Sequence, residues 1–294
     1  MLKEKLRAAR ELFKDINIPT SDAEHIAAYI LGIERMQLHA REFEFSSEQE
    51  REFEELLEQR LKGIPLQYLT GTAPFRHLDF QVGPGVLIPR PETELLVDAA
   101  LVEIERIQAA LNWSQQPTSI VDLGSGSGAI AISIAYEAEL RGMPVQVVAV
   151  ESETEALSWL KQNIAKHEVD VRVVESRVET ALPDVKCDLV IANPPYIPSE
   201  LKIGIDLPKE LSFEPITSLY GGRDGLDAPF AFIDAASRIL KNTGLLLMEH
   251  HETQLAALSE KIYLDFNDLV SFNDLNQRPR WISARRLARS VSNG

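Results

Sequence analysis

The chain has 294 residues, 45 acidic against 30 basic, a formal net charge of −15 and 45% apolar residues, which excludes a disordered or fibrous protein. That excess of acid argues against a general nucleic-acid binder, whose affinity comes mostly from neutralising phosphates. One cysteine, Cys187, excludes an internal disulfide framework, and no apolar run approaches the roughly 20 residues that span a bilayer.

The first seventy or so residues read as helices. Leu2, Leu6, Ala9, Leu12 and Phe13 recur at helical spacing in an amphipathic charged start that does not resemble a signal sequence, and Ile18-Pro19 ends that element. Ser21-Asp22-Ala23-Glu24 predicts a capping box, and Ser47-Glu48-Gln49-Glu50 a second one, opening a helix with Phe53, Leu56, Leu57 and Leu61. Gly63 and Pro65 close that helix. The period then changes. Residues 75–82 and 86–88 flank Gly83-Pro84-Gly85, which reads as a hairpin, and Pro89-Arg90-Pro91-Glu92 is a stiff exit into a helix. Beyond Pro117, strand-like runs at 119–123, 145–150, 171–174, 189–192, 245–248 and 269–272 alternate with helical stretches at 129–140, 153–166, 229–240 and 252–263. Such alternation predicts βαβ units and a mostly parallel sheet covered on both faces. From Asn276 to the end there are five arginines and no acid, which reads as a last strand with a solvated tail. The expected organisation is a helical domain at 1–73, a hairpin linker at 74–90 and an α/β, Rossmann-like domain at 91–294.

Two motifs carry chemistry. Val121-Asp122-Leu123 runs into Gly124-Ser125-Gly126-Ser127-Gly128 and then a helix. Glycines let a backbone approach a ligand closely, and the helix start offers free N–H groups and the positive end of its dipole. Glu151, 27 residues after Gly124 at the end of the second strand, could accept both ribose hydroxyls of an adenosine ligand. Nicotinamide cofactors and S-adenosylmethionine both suit such a half-site. The spacing G-x-G-x-G, in place of the dinucleotide G-x-G-x-x-G, favours the sulfonium cofactor, which has no pyrophosphate to cradle. The second motif, Asn193-Pro194-Pro195-Tyr196, directly follows a strand. In an open α/β sheet that is where ligands bind. The Asn193 side-chain oxygen and the Pro194 carbonyl could together accept both hydrogens of one planar –NH2 group, orienting its nitrogen toward an electrophile. Tyr196 offers a flat face for stacking.

With these motifs the sequence resembles the amino-methyltransferases that act on planar nitrogens, nucleobase amines and glutamine amides alike. Further matches resemble the HemK/PrmC-type release-factor glutamine methyltransferases. They are Gly63-Ile64-Pro65-Leu66-Gln67-Tyr68-Leu69-Thr70-Gly71, Leu87-Ile88-Pro89-Arg90-Pro91-Glu92-Thr93-Glu94, Asn193 to Pro198, Phe213-Glu214-Pro215 and Gly221-Gly222-Arg223-Asp224-Gly225-Leu226. The resemblance implies methyl transfer from S-adenosyl-L-methionine to the glutamine amide nitrogen in the Gly-Gly-Gln motif of peptide chain release factors. By position, Gly124, Ser125, Gly126, Ser127 and Gly128 would contact the methionyl part, Glu151 the ribose, and Asn193, Pro194, Pro195 and Tyr196 the glutamine, with Asn193 also beside the cofactor. It implies a protein substrate, no direct nucleic-acid requirement, no metal and no membrane, in the cytoplasm.

The sequence departs from that pattern where the family has an acid and then an aromatic near the adenine. Arg177 and Val178 stand there instead, so Val178 would offer apolar packing alone. Beyond about residue 255 the match fades. Two other readings stay open at this point: an enzyme acting on a DNA or RNA exocyclic amine, and a cofactor-binding scaffold without activity. Eight glutamates between Glu42 and Glu58 read as a solvated helix face, Arg90 as a holder of the cofactor or of a glutamate, and Cys187 as a packed thiol.

Overall fold

The computed structural model describes residues 2–16 and 18–288. Its first part is helical: α1 (Leu2–Asp15), α2 (Asp22–Leu31), α3 (Gln37–Ala40), α4 (Ser47–Leu61) and α5 (Leu66–Thr70). Leu2, Leu6, Ala9 and Phe13 of α1 are buried against Ile26 and Ala27 of α2 and Phe53 of α4, while Leu12 is exposed. The glutamates at 48, 52, 54, 55 and 58 are exposed, as a solvated face requires.

Both capping boxes differ from expectation. The box of α4 lies one residue earlier: the Ser46 side chain accepts from the Gln49 backbone N–H, and the Gln49 side chain accepts from the Ser46 N–H. At α2, Ser21 makes no side-chain cap. Its two acids are drawn into long-range pairs instead. Arg60 Nε donates to Asp22 at 2.8 Å, and Glu24 is shared by Arg10 and Arg35. Arg60, itself buried, also pairs with Glu210, tying the helical part to the segment before Phe213.

The hairpin is also displaced. It pairs β1 (Thr72–Phe75) with β2 (Leu78–Gln81) and turns at Arg76-His77, not at Gly83-Pro84-Gly85. The glycine loop instead lies against α8 (Thr154–His167): a Cβ on Gly83 would come within 2.6 Å of Trp159, whose Nε1 donates to the Pro84 carbonyl at 3.1 Å. Packing requires a small residue at Gly83, and the backbone turns at Gly85, whose φ is +92°, without joining two strands of a hairpin. Pro91 opens a 3₁₀ turn at Pro91–Thr93 that leads into α6 (Glu94–Ala110), as the stiff exit predicts.

A seven-stranded sheet follows, formed by β3 (Thr118–Leu123), β4 (Val145–Glu151), β5 (Val171–Glu175), β6 (Cys187–Ala192), β7 (Leu240–Glu249), β8 (Phe266–Asn273) and β9 (Pro279–Arg286). Its order is β5-β4-β3-β6-β7-β9-β8; the first five are parallel, and β9 runs antiparallel to both β7 and β8. The arginine-rich end therefore supplies β9, while Arg289 and the expected tail lie outside the described residues. Residues alternate between two cores, as period-two strands must. Ile120, Leu189, Ile191 and Leu247 face α6 and α7 (Ala129–Leu140) on one side. Val121, Leu123, Val190, Ala192, Leu246 and Met248 face α9 (Asp227–Ile239) and α10 (Leu255–Ile262) on the other. No helix among the described residues is long and apolar enough to cross a membrane.

The strand order reverses between β3 and β6. There the connections depart to opposite sides and leave a crevice at the carboxyl ends of the strands. Leu123 pairs with Ala192, so Gly124 and Asn193 leave the sheet side by side.

Candidate active site

That crevice opens into a cavity of about 530 Å³, within the roughly 300–1,000 Å³ of small-molecule sites. Its wall gathers Gly124, Ser125, Gly126, Ser127, Glu151, Val178, Asn193 and Pro195 from the expected set. Gly128, Pro194 and Tyr196 are not on it. Gly128 begins α7 at φ +86°, and a Cβ there would meet Leu160 at 2.5 Å and Ile132 at 2.7 Å, so its place is against the core. Pro194 is buried behind its neighbours, which leaves Asn193 and Pro195 facing the cavity.

The glycine turn is held from β4. The N–H groups of Gly124 and Ser125 both donate to the Val150 carbonyl, at 2.9 and 3.0 Å, and that of Gly126 donates to Glu151 Oε2 at 2.8 Å. Sequence reasoning assigned the turn's N–H groups to the ligand; three of them face the sheet instead. Glu151 Oε1 accepts from the Ser152 and Glu153 N–H groups at 2.7 and 2.9 Å. Three bonds leave a carboxylate with about one further lone-pair site, on Oε2, for a hydroxyl. Asp122, one residue before Leu123, is fully buried, and Oδ2 accepts from the Ala131 N–H at 3.3 Å, meeting a donor in the first turn of α7. Burial pushes its pKa up to about 7.

At the opposite wall, Asn193 Nδ2 donates one hydrogen to Thr93 Oγ1 at 3.1 Å, which turns the nitrogen to that side and leaves Oδ1 as the acceptor of Asn193. Thr93 donates in turn to Glu249 Oε2 at 2.7 Å, and the Tyr196 hydroxyl donates to Glu249 Oε1 at 2.8 Å. Burial raises the pKa of Glu249, against the pull of those two donors and of Arg280; burial also raises that of Tyr196, reinforced by the charge of Glu249. The Tyr196 hydroxyl is thus bonded to Glu249, and its ring, expected to offer a stacking face, is not on the cavity wall. The backbone around the motif is braced from behind. Gln254 Nε2 donates to the Tyr196 carbonyl at 3.0 Å and the Gly225 carbonyl at 2.9 Å, and Gly221 N–H donates to the Ile197 carbonyl at 3.0 Å.

Arg90 lines the cavity and pairs with buried Glu214 at 2.6 Å, while Glu214 Oε2 accepts from the Ile88 N–H at 3.1 Å. This fastens the 88–90 segment as one wall. Sequence reasoning missed Thr93, Glu249, Phe232 and the 215–218 stretch. Glu249 carried a readable signal, an acid at the carboxyl end of an apolar strand; Phe232 carried none. At the far end, Ser176, Arg177, Val178 and Glu179 line the wall, and Arg177 pairs with Glu179 at 3.0 Å.

S-adenosyl-L-methionine fits these residues. Glu151, with about one lone-pair site left, suits one ribose hydroxyl where both were expected, and Val178 supplies apolar surface on the same cavity wall. With the N–H groups of Gly124, Ser125, Gly126 and Gly128 engaged, the glycine turn has carbonyl oxygens to offer an ammonium.

Comparison with known proteins agrees with this architecture. Residues 4–71 match the PrmC N-terminal domain, and residues 104–210 match the methyltransferase small domain. The release factor glutamine methyltransferase of Streptomyces coelicolor is 35% identical over 293 residues, covering 97% of this chain and 98% of that protein. Its counterpart in Mycolicibacterium smegmatis is 36% identical, covering 92% of each chain. Among solved structures, a T. thermophilus 16S rRNA N2 methyltransferase in complex with AdoMet and guanosine superposes with a TM-score of 0.50 at 18% identity, over 73% of this chain and 49% of that one. That likeness concerns the fold. The two curated relatives match nearly end to end, and the chain belongs to the family of release factor glutamine methyltransferases.

Proposed function

We propose that the protein transfers a methyl group from S-adenosyl-L-methionine to the side-chain amide nitrogen of the glutamine in the Gly-Gly-Gln motif of peptide chain release factors. The observation that carries this reading is Asn193, whose Nδ2 is engaged by Thr93 while Oδ1 remains as an acceptor beside the glycine turn. When bound, the cofactor supplies an electrophilic methyl group on a positively charged sulfur. An amide nitrogen is a poor nucleophile, because its lone pair is delocalised. Asn193 Oδ1 accepts one of its hydrogens and orients the nitrogen in line, so much of the barrier is met by positioning. The Pro194 carbonyl is the second acceptor once the glutamine enters between Asn193 and Pro195. Both oxygens stabilise the positive charge that the nitrogen gains in the transition state. One hydrogen then leaves as a proton to solvent, and no side chain is required as a base.

On this reading Gly124, Ser125, Gly126 and Ser127 hold the methionyl end and Glu151 the ribose, with Val178 against the adenine. Residues 1–73 serve as the substrate-recognition domain, 74–90 as the linker and 91–294 as the catalytic domain. The activity belongs in the cytoplasm beside its substrate and needs no nucleic acid. A nucleobase amine presents a similar –NH2 group, but the net charge of −15 and the named relatives favour glutamine. Mass spectrometry of a release factor incubated with protein and cofactor tests the assignment. One added methyl on the glutamine of the tripeptide is expected; a methyl elsewhere, or none, overturns it.

A further inference from the structure

Three buried or half-buried groups stand in series behind Asn193. They come from separate parts of the chain: Thr93 from the turn before α6, Tyr196 from the proline motif and Glu249 from the end of β7. Glu249 is 2% exposed and Thr93 4%. The bonds run in one direction, from Asn193 through Thr93 to Glu249. Both hydroxyls donate to Glu249, Thr93 to Oε2 and Tyr196 to Oε1, the pattern an ionised carboxylate requires; these two donors and Arg280 favour that form against the burial that opposes it. A hydroxyl has one hydrogen. With it on Glu249, Thr93 Oγ1 can only accept from Asn193, which turns Nδ2 toward Thr93 and leaves Oδ1 for the cavity.

This matters because the two ends of an asparagine amide are nearly alike in size and shape. Unaided, Asn193 could present –NH2 as readily as oxygen. An –NH2 facing the substrate –NH2 would set donor against donor, in a buried setting where an unmatched polar contact is costly. We propose that Thr93 and Glu249 are positioning residues that lock the orientation of the Asn193 amide, with Tyr196 occupying the second carboxylate oxygen. The proposal rests on the reading of Asn193 as the group that holds the substrate amide. It gives the Thr93 hydroxyl a function that its methyl does not share.

A crossed pair of variants tests it. Thr93→Val keeps the shape and removes the hydroxyl; Thr93→Ser keeps the hydroxyl and removes the methyl. For Thr93→Val, kcat on a release factor is expected to fall about 10–100-fold, with the cofactor Kd within about twofold of wild type. Thr93→Ser is expected to restore kcat to within about threefold. A packing role predicts the reverse order, with Val harmless and Ser impaired. A second readout needs no turnover: hydrogen exchange of the Asn193 side-chain amide, followed by NMR on protein labelled at asparagine. Protection is expected in wild type and Thr93→Ser and its loss in Thr93→Val. Wild-type kcat in Thr93→Val, equal losses in both variants, or no difference in amide protection would overturn the proposal. If wild-type protein methylates no release factor, the glutamine reading fails by itself, and the exchange measurement still decides what holds Asn193.

Discussion

Two turns leave the sheet side by side, and they are built in opposite ways. The turn after β3 is glycine-rich, with positive φ at Gly124, Gly126 and Gly128, and it shapes a wall with bare backbone. The turn after β6 has two prolines, and the polar side chain it presents to the cavity is Asn193, whose orientation a buried network sets. The first must conform to the methionyl end of a cofactor, so closeness of approach is what it supplies. The second must discriminate one planar nitrogen, so fixed polarity is what it supplies. Altering the first should therefore move affinity or stability, and altering the second should move turnover.

The largest expected effect is on the proline side. Asn193→Ala should lower kcat by about 10²–10³-fold, the scale of losing one preorganised group that stabilises developing charge, while cofactor affinity changes little. Equal losses in both would erase the distinction between the turns. On the glycine side, Glu151→Ala should weaken cofactor binding by about 10–100-fold, the scale of a hydrogen bond to a charged group, with kcat at saturation within about threefold. Isothermal calorimetry beside steady-state kinetics separates the two numbers. Gly128→Ala should leave the chemistry alone and cost about 1–3 kcal/mol of stability, read by denaturant unfolding, because the added Cβ overpacks Leu160 and Ile132.

A smaller effect concerns Asp122, beneath the glycine turn. Its folded pKa of about 7 exceeds the ordinary value of 3.8, so between these the folded state holds a proton that the unfolded state has released. Stability must then fall as pH rises through that window. Asp122→Asn, neutral throughout, escapes this fall. Its Tm relative to wild type should rise from pH 4 to pH 7 and level off above. A difference independent of pH would show that Asp122 is already ionised at low pH in the fold.

Much of this was legible before any coordinates. The helix at 129–140 has the expected bounds, and the five parallel strands include every run assigned to them, because buried apolar runs alternating with helical periods have few other solutions. Errors arose where a distant partner overrode a local pattern. Asp22 and Glu24 have the spacing of a cap, but Arg60, Arg10 and Arg35 claim them. Gly83-Pro84-Gly85 has turn composition and does turn at Gly85, but it connects no hairpin, and Trp159 packs on Gly83. In the site, Gly124 to Ser127, Glu151 and Asn193 were readable because short motifs place them at strand ends. Thr93 and Glu249 were not linked to Asn193, since the bonds that join them span 100 and 156 residues. A local motif names the group that meets the substrate; the network that aims it is assembled by the fold.

The central claim is that the two turns together deliver one methyl group to a glutamine amide. The direct measurement is transfer of label from S-adenosyl-L-methionine to a purified release factor, beside the same factor with its Gly-Gly-Gln glutamine replaced and a duplex DNA control. Label on the intact factor alone is the result this account predicts. Label that persists on the glutamine-replaced factor, or that appears on the DNA, would contradict it.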